Sequence, residues 1–289
     1  MTSSTQIFLG KIALRLAPSL YLRKVTHWTK NHLQDVQPFF LSFDCDTNRD
    51  AEASLKIQRQ LHKANIRAAY AIPGALLEKH WGTYRDLQAL GGYFVNHGYR
   101  EHAAIDDTTG KPYSTFTYRD EDRDIWQRDI VDGHNAIQTL TGNAPYIFRT
   151  PHFGEFNKPH QLSELYKFLA TLNYRISTST TPVFSYINGG MYGGGAGIIE
   201  IPLSGSIARP SQLIDSWGFL SAPDALGRNA LIRELKSYLA TLSSGSKLLT
   251  NIYFDPADIA DDQEILDLLV KFEPHCNSGY DNPTLGKMY

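Results

Sequence analysis

Apolar and polar stretches alternate along the chain from residue 38 onward. Short apolar runs bounded by turn residues predict buried strands, and the segments between them space their apolar residues as helices do. Seven strands are predicted: FFLSFD (39–44), IRAAYAI (66–72), GGYFVNH (91–97), YIFR (146–149), YRIST (174–178), GIIEIPL (197–203) and KLLTNIYF (247–254). Helices are predicted over 48–64, 82–90, 119–140, 158–172, 224–243 and 260–272. Repeated strand–helix units predict a mostly parallel α/β sheet with helices outside it, closed into a barrel or doubly wound.

The glycine-rich tract NGGMYGGGAG (188–197) interrupts this alternation. It lacks the Lys-Ser/Thr pair of a phosphate-binding loop. We therefore expect a mobile surface loop here rather than a phosphate cradle.

Polar side chains collect where the predicted strands end. Asp44 and Asp46 follow the first apolar run, His97 ends the third strand, Arg149 ends the fourth and Asp255 follows the last. Two neighbouring carboxylates at the end of a buried strand are costly unless something compensates their charge. Because the carboxyl ends of parallel strands meet at one edge of a sheet, this pattern predicts an active site there. A simpler reading, in which the two aspartates cap the next helix, stays open at this point.

The composition limits the possible functions. The 289 residues are 42% hydrophobic with a net charge of −2, which is typical of a globular protein and provides no overall field for nucleic acid. Cys45 and Cys276 are too few for a disulfide framework.

The charge is unevenly distributed, because residues 1–34 hold five basic residues and no acid. Within QIFLGKIALRLA (6–17), Lys11 and Arg15 fall on one helical face, largely opposite Phe8, Leu9, Ile12 and Leu16. Two interpretations follow: a helix packed on the protein with its charges in water, which we favour, or peripheral contact of residues 5–34 with anionic lipid. Arg15 interrupts the apolar run, so no signal peptide is expected. We therefore expect a cytoplasmic protein, with contact at the inner membrane face as the alternative.

Four segments together resemble one known family. SFDCDT (42–47), NHGYREH (96–102), FRTPHFG (148–154) and NIYFDPADI (251–259) are similar, in this order, to the motifs of polysaccharide deacetylases with a NodB-homology domain, carbohydrate esterase family 4. The resemblance covers roughly residues 38–273. It implies a distorted (β/α)7-type barrel, a TIM-barrel-like domain over 38–289, preceded by a basic helical extension over 1–37.

The resemblance implies a metal site and a general base. By analogy with the family, Asp44 is the base, and Asp46 and His97 bind the metal. The family usually places three residues between its two histidines, whereas four separate His97 from His102 here. We expect His102 to be the third ligand, with Glu101 as the alternative. Nitrogen and oxygen donors of this kind suit zinc.

The remaining motifs imply further roles. Arg149 would orient the base, and the backbone N–H of His152 would donate to the oxyanion. Pro151, Phe153 and Tyr99 would contact the substrate.

The last motif departs from the family at the proton donor. Asp255 stands where the family has a histidine acid, and it could protonate a leaving amine only with a raised pKa, for which Asp258 is a neighbour in sequence. Alternatively His152 or His160 supplies the proton, or turnover is lost.

These resemblances predict a metal-dependent hydrolase that removes an N-acetyl group from an amino sugar in a polysaccharide or sugar-lipid. Two other functions stay open: a sugar-binding homologue with weakened catalysis, and an amidohydrolase acting on a small cyclic or formylated amide.

Overall fold

The computed structural model describes residues 2–33, 39–110, 112–276 and 280. The strands in these ranges are β1 (Phe39–Asp44), β2 (Ala69–Ile72), β3 (Tyr93–Asn96), β4 (Ala103–Ile105), β5 (Pro112–Ser114), β6 (Ile147–Phe148), β7 (Ile176–Ser177), β8 (Tyr192–Gly195), β9 (Ile198–Glu200) and β10 (Thr250–Phe254). The α-helices are α1 (Ser4–Leu16), α2 (Pro18–His32), α3 (Asp50–Lys63), α4 (Gly74–Lys79), α5 (Trp81–Ala89), α6 (Arg123–Thr141), α7 (Pro159–Thr171), α8 (Pro182–Asn188), α9 (Arg228–Ser243), α10 (Pro256–Ile259) and α11 (Gln263–Val270).

One eight-stranded sheet organises the molecule, in the order β10-β1-β2-β3-β6-β7-β9-β8. Its first seven strands pair in parallel and correspond to the seven predicted strands. The sheet curls into half of a barrel, so the predicted α/β fold is confirmed. Strands β4 and β5 form a separate antiparallel hairpin beside it.

The strand β1 lies near the middle of the core. All six of its residues are buried, and it pairs with β10 on one side and β2 on the other. Phe43 stacks on Tyr70 of β2 with ring centroids 5.1 Å apart. Burial on both faces explains why this strand is a continuous apolar run, and it makes the acidic residue at its end conspicuous.

The glycine-rich tract is not the loop that its composition predicts. Tyr192–Gly195 form β8, which pairs antiparallel with β9 at the edge of the sheet. A side chain at Gly194 would meet the ring of Tyr166, with its Cβ 2.7 Å from the nearest atom. Glycine is therefore needed here for close packing of α7 against the edge strand.

The N-terminal helix α1 packs on α8 through only one of its faces. Gly10 and Leu14 are buried, and a Cβ at Gly10 would lie 2.7 Å from Val183 of α8. The apolar side chains of the opposite face lie in solvent: Phe8, Leu9, Ile12 and Leu16. The expectation of a packed helix therefore holds for the small-residue face, while the large apolar residues are exposed together with the charges. Within the described ranges, none of the helices has the length and apolar character to cross a bilayer.

Candidate metal centre and active-site cleft

The parallel strands bring the candidate residues to one edge of the sheet. Asp44 ends β1 and Asp46 lies two residues further, while His97 follows β3, Arg149 follows β6 and Asp255 follows β10. The strands run parallel, so these ends meet at the carboxyl edge, where α/β proteins place their sites. Four of these side chains line one cleft of about 450 Å³, and the fifth, Arg149, is fully buried.

Asp46, His97 and His102 converge on one point. One ligand atom from each lies within 4.8 Å of the others. The distance to Asp46 Oδ1 is 3.1 Å from His102 Nε2 and 3.5 Å from His97 Nε2. These three atoms are buried and make no hydrogen bond of good geometry within the described residues. Because buried polar atoms normally have a partner, the convergence points to a bound ligand.

The loop from His97 to His102 brings the two imidazoles together without a helix. Their ring centroids are 4.6 Å apart, and the rings are nearly perpendicular. Gly98 has a φ of +80°, and a Cβ there would lie 2.3 Å from a carboxylate oxygen of Asp129. That carboxylate accepts hydrogen bonds from the backbone and the guanidinium of Arg100, at 2.9 and 3.0 Å. A spacing that separates side chains by about 140° on a helix therefore works here, because the anchored loop folds back.

A hydrogen bond fixes the orientation of the His97 ring. Its Nδ1 lies 2.8 Å from the carbonyl oxygen of Arg149, which requires a proton on Nδ1. The other ring nitrogen, Nε2, then faces Oδ1 of Asp46 at 3.5 Å. Metal-binding histidines use such a bond to hold their tautomer.

Asp44 lies next to the cluster, in contact with His97. It is buried, and one carboxylate oxygen accepts a hydrogen bond from Arg149 Nη1 while the other lies 3.9 Å from His97 Nε2. Arg149 is held in turn by Ser42, whose hydroxyl is 2.8 Å from Nη2. Burial raises the pKa of Asp44, and the charges of Arg149 and His97 oppose this without cancelling it. A carboxylate with a raised pKa and a fixed orientation can accept a proton.

The pKa of Asp46 shifts in the opposite direction. Burial alone would raise it, but the imidazoles of His102 and His97 outweigh burial and hold the pKa of Asp46 well below its ordinary value. The two carboxylates of the pair are therefore distinguished by their surroundings: one is held as an anion, the other is able to take up a proton. Neither serves as a side-chain cap for α3, whose start has none. At that end it is the carboxylate of Asp50 that accepts hydrogen bonds, from the backbone N–H and the hydroxyl of Thr47 at 2.9 and 2.8 Å.

Asp255 lies on the β10 side of the cleft. Its carboxylate accepts a hydrogen bond from the hydroxyl of Ser216 at 3.0 Å, and its backbone N–H donates to the same hydroxyl at 2.7 Å. Burial, and then the charges of Asp46 and Asp258, raise the pKa of Asp255 well above its ordinary value. An aspartic acid at this position therefore has the raised pKa that proton donation requires. The alternative donor His160 is exposed on α7 and does not line the cleft.

His152 lines the cleft and contacts the β4–β5 hairpin and the loop that carries His102. Its Nε2 is 2.9 Å from the Ser114 hydroxyl of the β4–β5 hairpin and 3.1 Å from the carbonyl oxygen of His102. Burial, followed by the neighbouring His102, lowers the pKa of His152 to about 4. The imidazole is therefore neutral near pH 7, which disfavours His152 as a cationic proton donor. Its φ of +57° places His152 in the left-handed region, within the bend that follows Arg149.

Of the three residues predicted to contact substrate, one lines the cleft and two do not. Phe153 lines the cleft, with its ring centroid 4.6 Å from that of Tyr253. Pro151 is buried and does not line it. Tyr99 is a correction: its hydroxyl donates to Glu78 at 3.0 Å, and both residues line a separate surface hollow. The tight approach of its ring to the start of α4 turns Tyr99 away from the metal cluster.

The structure places Glu101 and His102 differently with respect to the cluster. Glu101 is exposed, and its carbonyl oxygen accepts a hydrogen bond from Thr115 at 2.9 Å. His102 is fully buried and belongs to the cluster.

Known structures share this architecture. The chain aligns with a Mycobacterium smegmatis protein assigned to the polysaccharide deacetylases, with a TM-score of 0.59 and 13% identity over 83% of this chain and 85% of the other. A protein from Pseudomonas aeruginosa PAO1 with the same assignment gives a TM-score of 0.54 and 12% identity, over 77% and 65%. An allantoinase gives 0.53 and 14%, over 76% and 64%. The chain has the polysaccharide deacetylase fold. No protein-family description and no curated protein matches the sequence.

The residues present fit the divalent metal that this fold implies. The cluster offers one carboxylate oxygen and two imidazole nitrogens, which is a donor set that zinc takes readily. The three buried atoms without hydrogen-bond partners are the independent observation, because a protein without a ligand would leave them unsatisfied. Asp46, His97 and His102 are therefore the residues that would hold the metal.

The sequence did not single out Asp215 and Tyr253, two polar residues of the cleft that contact each other. Asp215 is buried and accepts hydrogen bonds from the backbone N–H of Gly218 at 2.7 Å and from the hydroxyl of Tyr253 at 3.1 Å. Burial raises the pKa of Asp215 to about 6. Tyr253 lies inside the fourth motif, so its position was available from the sequence. Asp215 belongs to a segment without regular secondary structure, where no periodicity marks it.

Proposed function

We propose that this protein is a metal-dependent hydrolase that removes an N-acyl group, acetyl in the first instance, from an amino sugar. The observation that carries the proposal is the convergence of Asp46, His97 and His102 beside the buried Asp44–Arg149 pair. Convergent buried ligands next to a carboxylate with a raised pKa are what hydrolysis of an amide requires. The polysaccharide deacetylases of the same fold support the choice of a sugar amide.

Each remaining group has a task in this reaction. A divalent cation held by the cluster would polarise the amide carbonyl and lower the pKa of water. Asp44 takes a proton from the attacking water, and Arg149 keeps its carboxylate in place. The backbone N–H of His152 donates to the oxygen that becomes negative in the tetrahedral intermediate. Asp255, whose raised pKa favours its protonated form, gives a proton to the departing amine.

The cleft offers aromatic surfaces that suit a sugar ring. Phe153, Tyr113 and Trp217 line it, and Tyr113 and Trp217 are largely exposed. Apolar ring faces with polar groups at their edges bind carbohydrate well because the faces of a sugar are apolar too.

The test combines metal analysis with product analysis. We expect the protein loaded with zinc to release acetate from N-acetylglucosamine oligomers, and the Asp44→Asn variant to bind zinc normally while turnover falls roughly 10²- to 10⁴-fold, because the base is lost. The panel also includes formylated sugars and a cyclic amide, since one protein of similar fold is an allantoinase.

A matched control is Asp124→Asn, which changes an exposed carboxylate on α6. It should behave as the wild type does. Full activity in Asp44→Asn would refute the assignment of the base, and zinc binding without hydrolysis of any amide in the panel would favour a sugar-binding protein.

A further inference from the structure

The outer face of α1 is the most exposed apolar patch in the described part of the chain. The exposed fractions are 64% for Phe8, 57% for Leu9, 39% for Ile12 and 81% for Leu16. Large apolar side chains that are exposed singly are ordinary, but four on one helix form a patch.

These side chains form a continuous stripe. At 3.6 residues per turn they fall within an arc of roughly 100°, centred opposite the buried Gly10 and Leu14. The stripe therefore faces directly away from the protein. Nothing in the packing of α1 on α8 requires it, because that contact is made by the small-residue face.

Basic side chains flank the stripe. Lys11 and Arg15 are exposed and lie one turn apart along one edge of it. The whole segment 1–34 holds five basic residues and no acid, although the chain as a whole has a net charge of −2. An apolar stripe bordered by cations is the pattern that an anionic bilayer surface complements.

The helix that carries the stripe borders a cleft next to the active-site cleft. Lys11 and Arg15 line a second cleft of about 630 Å³, together with Lys158. Arg119 and Glu155 line both this cleft and the metal cleft, so one wall separates them. The exposed helix is therefore close to the opening of the catalytic site.

We propose that the outer face of α1 docks this protein on an anionic lipid bilayer, with Phe8, Ile12 and Leu16 in the interfacial region and Lys11 and Arg15 against the headgroups. The proposal goes beyond the proposed hydrolysis and does not depend on it.

A second copy of the chain is a poorer occupant of this face. A stable dimer buries about 800 Å² on each partner, more than four partly exposed side chains on one helix supply. In a twofold contact between antiparallel α1 helices the basic edges of two copies would also lie side by side and repel.

The experiment is vesicle co-sedimentation of the full chain. We expect binding to vesicles of phosphatidylcholine with phosphatidylglycerol, and much weaker binding to phosphatidylcholine alone. The triple variant Phe8→Ser/Ile12→Ser/Leu16→Ser should lose binding to both. The variant Lys11→Gln/Arg15→Gln should bind the anionic vesicles about 30-fold more weakly, because each basic residue near an anionic surface contributes several-fold in affinity.

The matched control is Ile125→Ser/Leu226→Ser, which removes two exposed apolar side chains from other parts of the surface. It should sediment as the wild type does. A single Leu16→Ser variant, with unchanged circular dichroism, should show a partial loss and guards against a folding defect in the triple variant.

Three outcomes would overturn the proposal. They are absence of wild-type binding to anionic vesicles, equal binding by the triple variant, and a concentration-dependent dimer that the triple variant dissolves. Because vesicle binding requires no turnover, none of them depends on whether the hydrolase assignment is right.

Discussion

The metal cleft and the cleft beside α1 share a wall but carry opposite charge. Seven carboxylates and two arginines line the metal cleft. Four cationic side chains and one carboxylate line the other. Arg119 and Glu155, which form an ion pair, belong to both. Two neighbouring surfaces of one molecule are therefore built for ligands of opposite character.

The two clefts also differ in how their charge is held. In the metal cleft, strand ends and an anchored loop fix the side chains, and burial shifts their pKa values. Beside α1 the charges are exposed on a helix and keep contact with water. The first arrangement suits chemistry, which needs fixed geometry, while the second suits attraction to a charged surface, which does not. Each prediction below changes the acidic region and should leave the basic region intact.

The largest effect is expected from the metal ligands. Replacement of His102 by alanine should abolish stoichiometric zinc binding and reduce turnover by at least about 100-fold, since even the outer partners of metal ligands contribute roughly 10- to 100-fold. Zinc content after gel filtration and acetate release measure the two effects. The variant should still bind anionic vesicles, because α1 is untouched.

The control for this variant is His62→Ala. His62 is exposed, and its Nδ1 lies 2.9 Å from the carbonyl oxygen of Leu90. It should retain zinc and activity. If His102→Ala kept its zinc, the cluster would not be the metal site.

The polar ends of the strands could be read from the sequence with physical arguments alone. Alternation of strands and helices predicts a parallel sheet, and a parallel sheet gathers its carboxyl ends, so Asp46 and His97 had to be near each other. The order of the strands brings these two residues together, because β1 and β3 both pair with β2.

Other features depend on tertiary contacts that periodicity does not encode. The two faces of α1 were visible in the sequence, but only the structure shows that Gly10, by its lack of a side chain, is what packs on α8. Tyr99 was predicted to contact substrate as an aromatic residue that could stack on a sugar ring. The structure instead places its hydroxyl against Glu78, and Tyr99 does not line the metal cleft.

The next effect concerns the acid of the cleft. Asp255→Asn should lower turnover by about 100-fold, because an amide cannot protonate the leaving amine. In the wild type the pKa of Asp255 is raised by burial and by Asp46. The activity of the wild type should therefore fall as the pH rises through that raised pKa. This decrease at high pH should be absent from the pH profile of Asp255→Asn.

The test is the pH profile of kcat/KM for the wild type and for Asp255→Asn. The zinc content of each protein is the control for metal loss. Persistence of the decrease at high pH in Asp255→Asn would assign the acid to another group, and the proposed mechanism would need a different proton donor.

The smallest effect is on stability and is expected at Asp215. Its pKa in the folded protein is about 6 because of burial, against an ordinary value near 3.8. A raised pKa means that the folded state binds this proton more tightly than the unfolded state does. The resulting stabilisation, about 3 kcal/mol in total, is complete only below about pH 3 and is lost as the pH rises through about 6.

Asp215→Asn cannot titrate, so its free energy of unfolding should rise relative to that of the wild type by about 2 kcal/mol between pH 4 and pH 7. The absolute stability also contains the altered hydrogen bond from Tyr253, which does not vary over this range and cancels from the comparison of pH values. Urea unfolding at both pH values measures the gain, and Asp261→Asn, at a carboxylate that is 94% exposed, is the control. A constant difference between Asp215→Asn and the wild type would mean that Asp215 is well solvated. The acidic cleft would then resemble the basic one in its contact with water, and the contrast between the two would reduce to the sign of the charge.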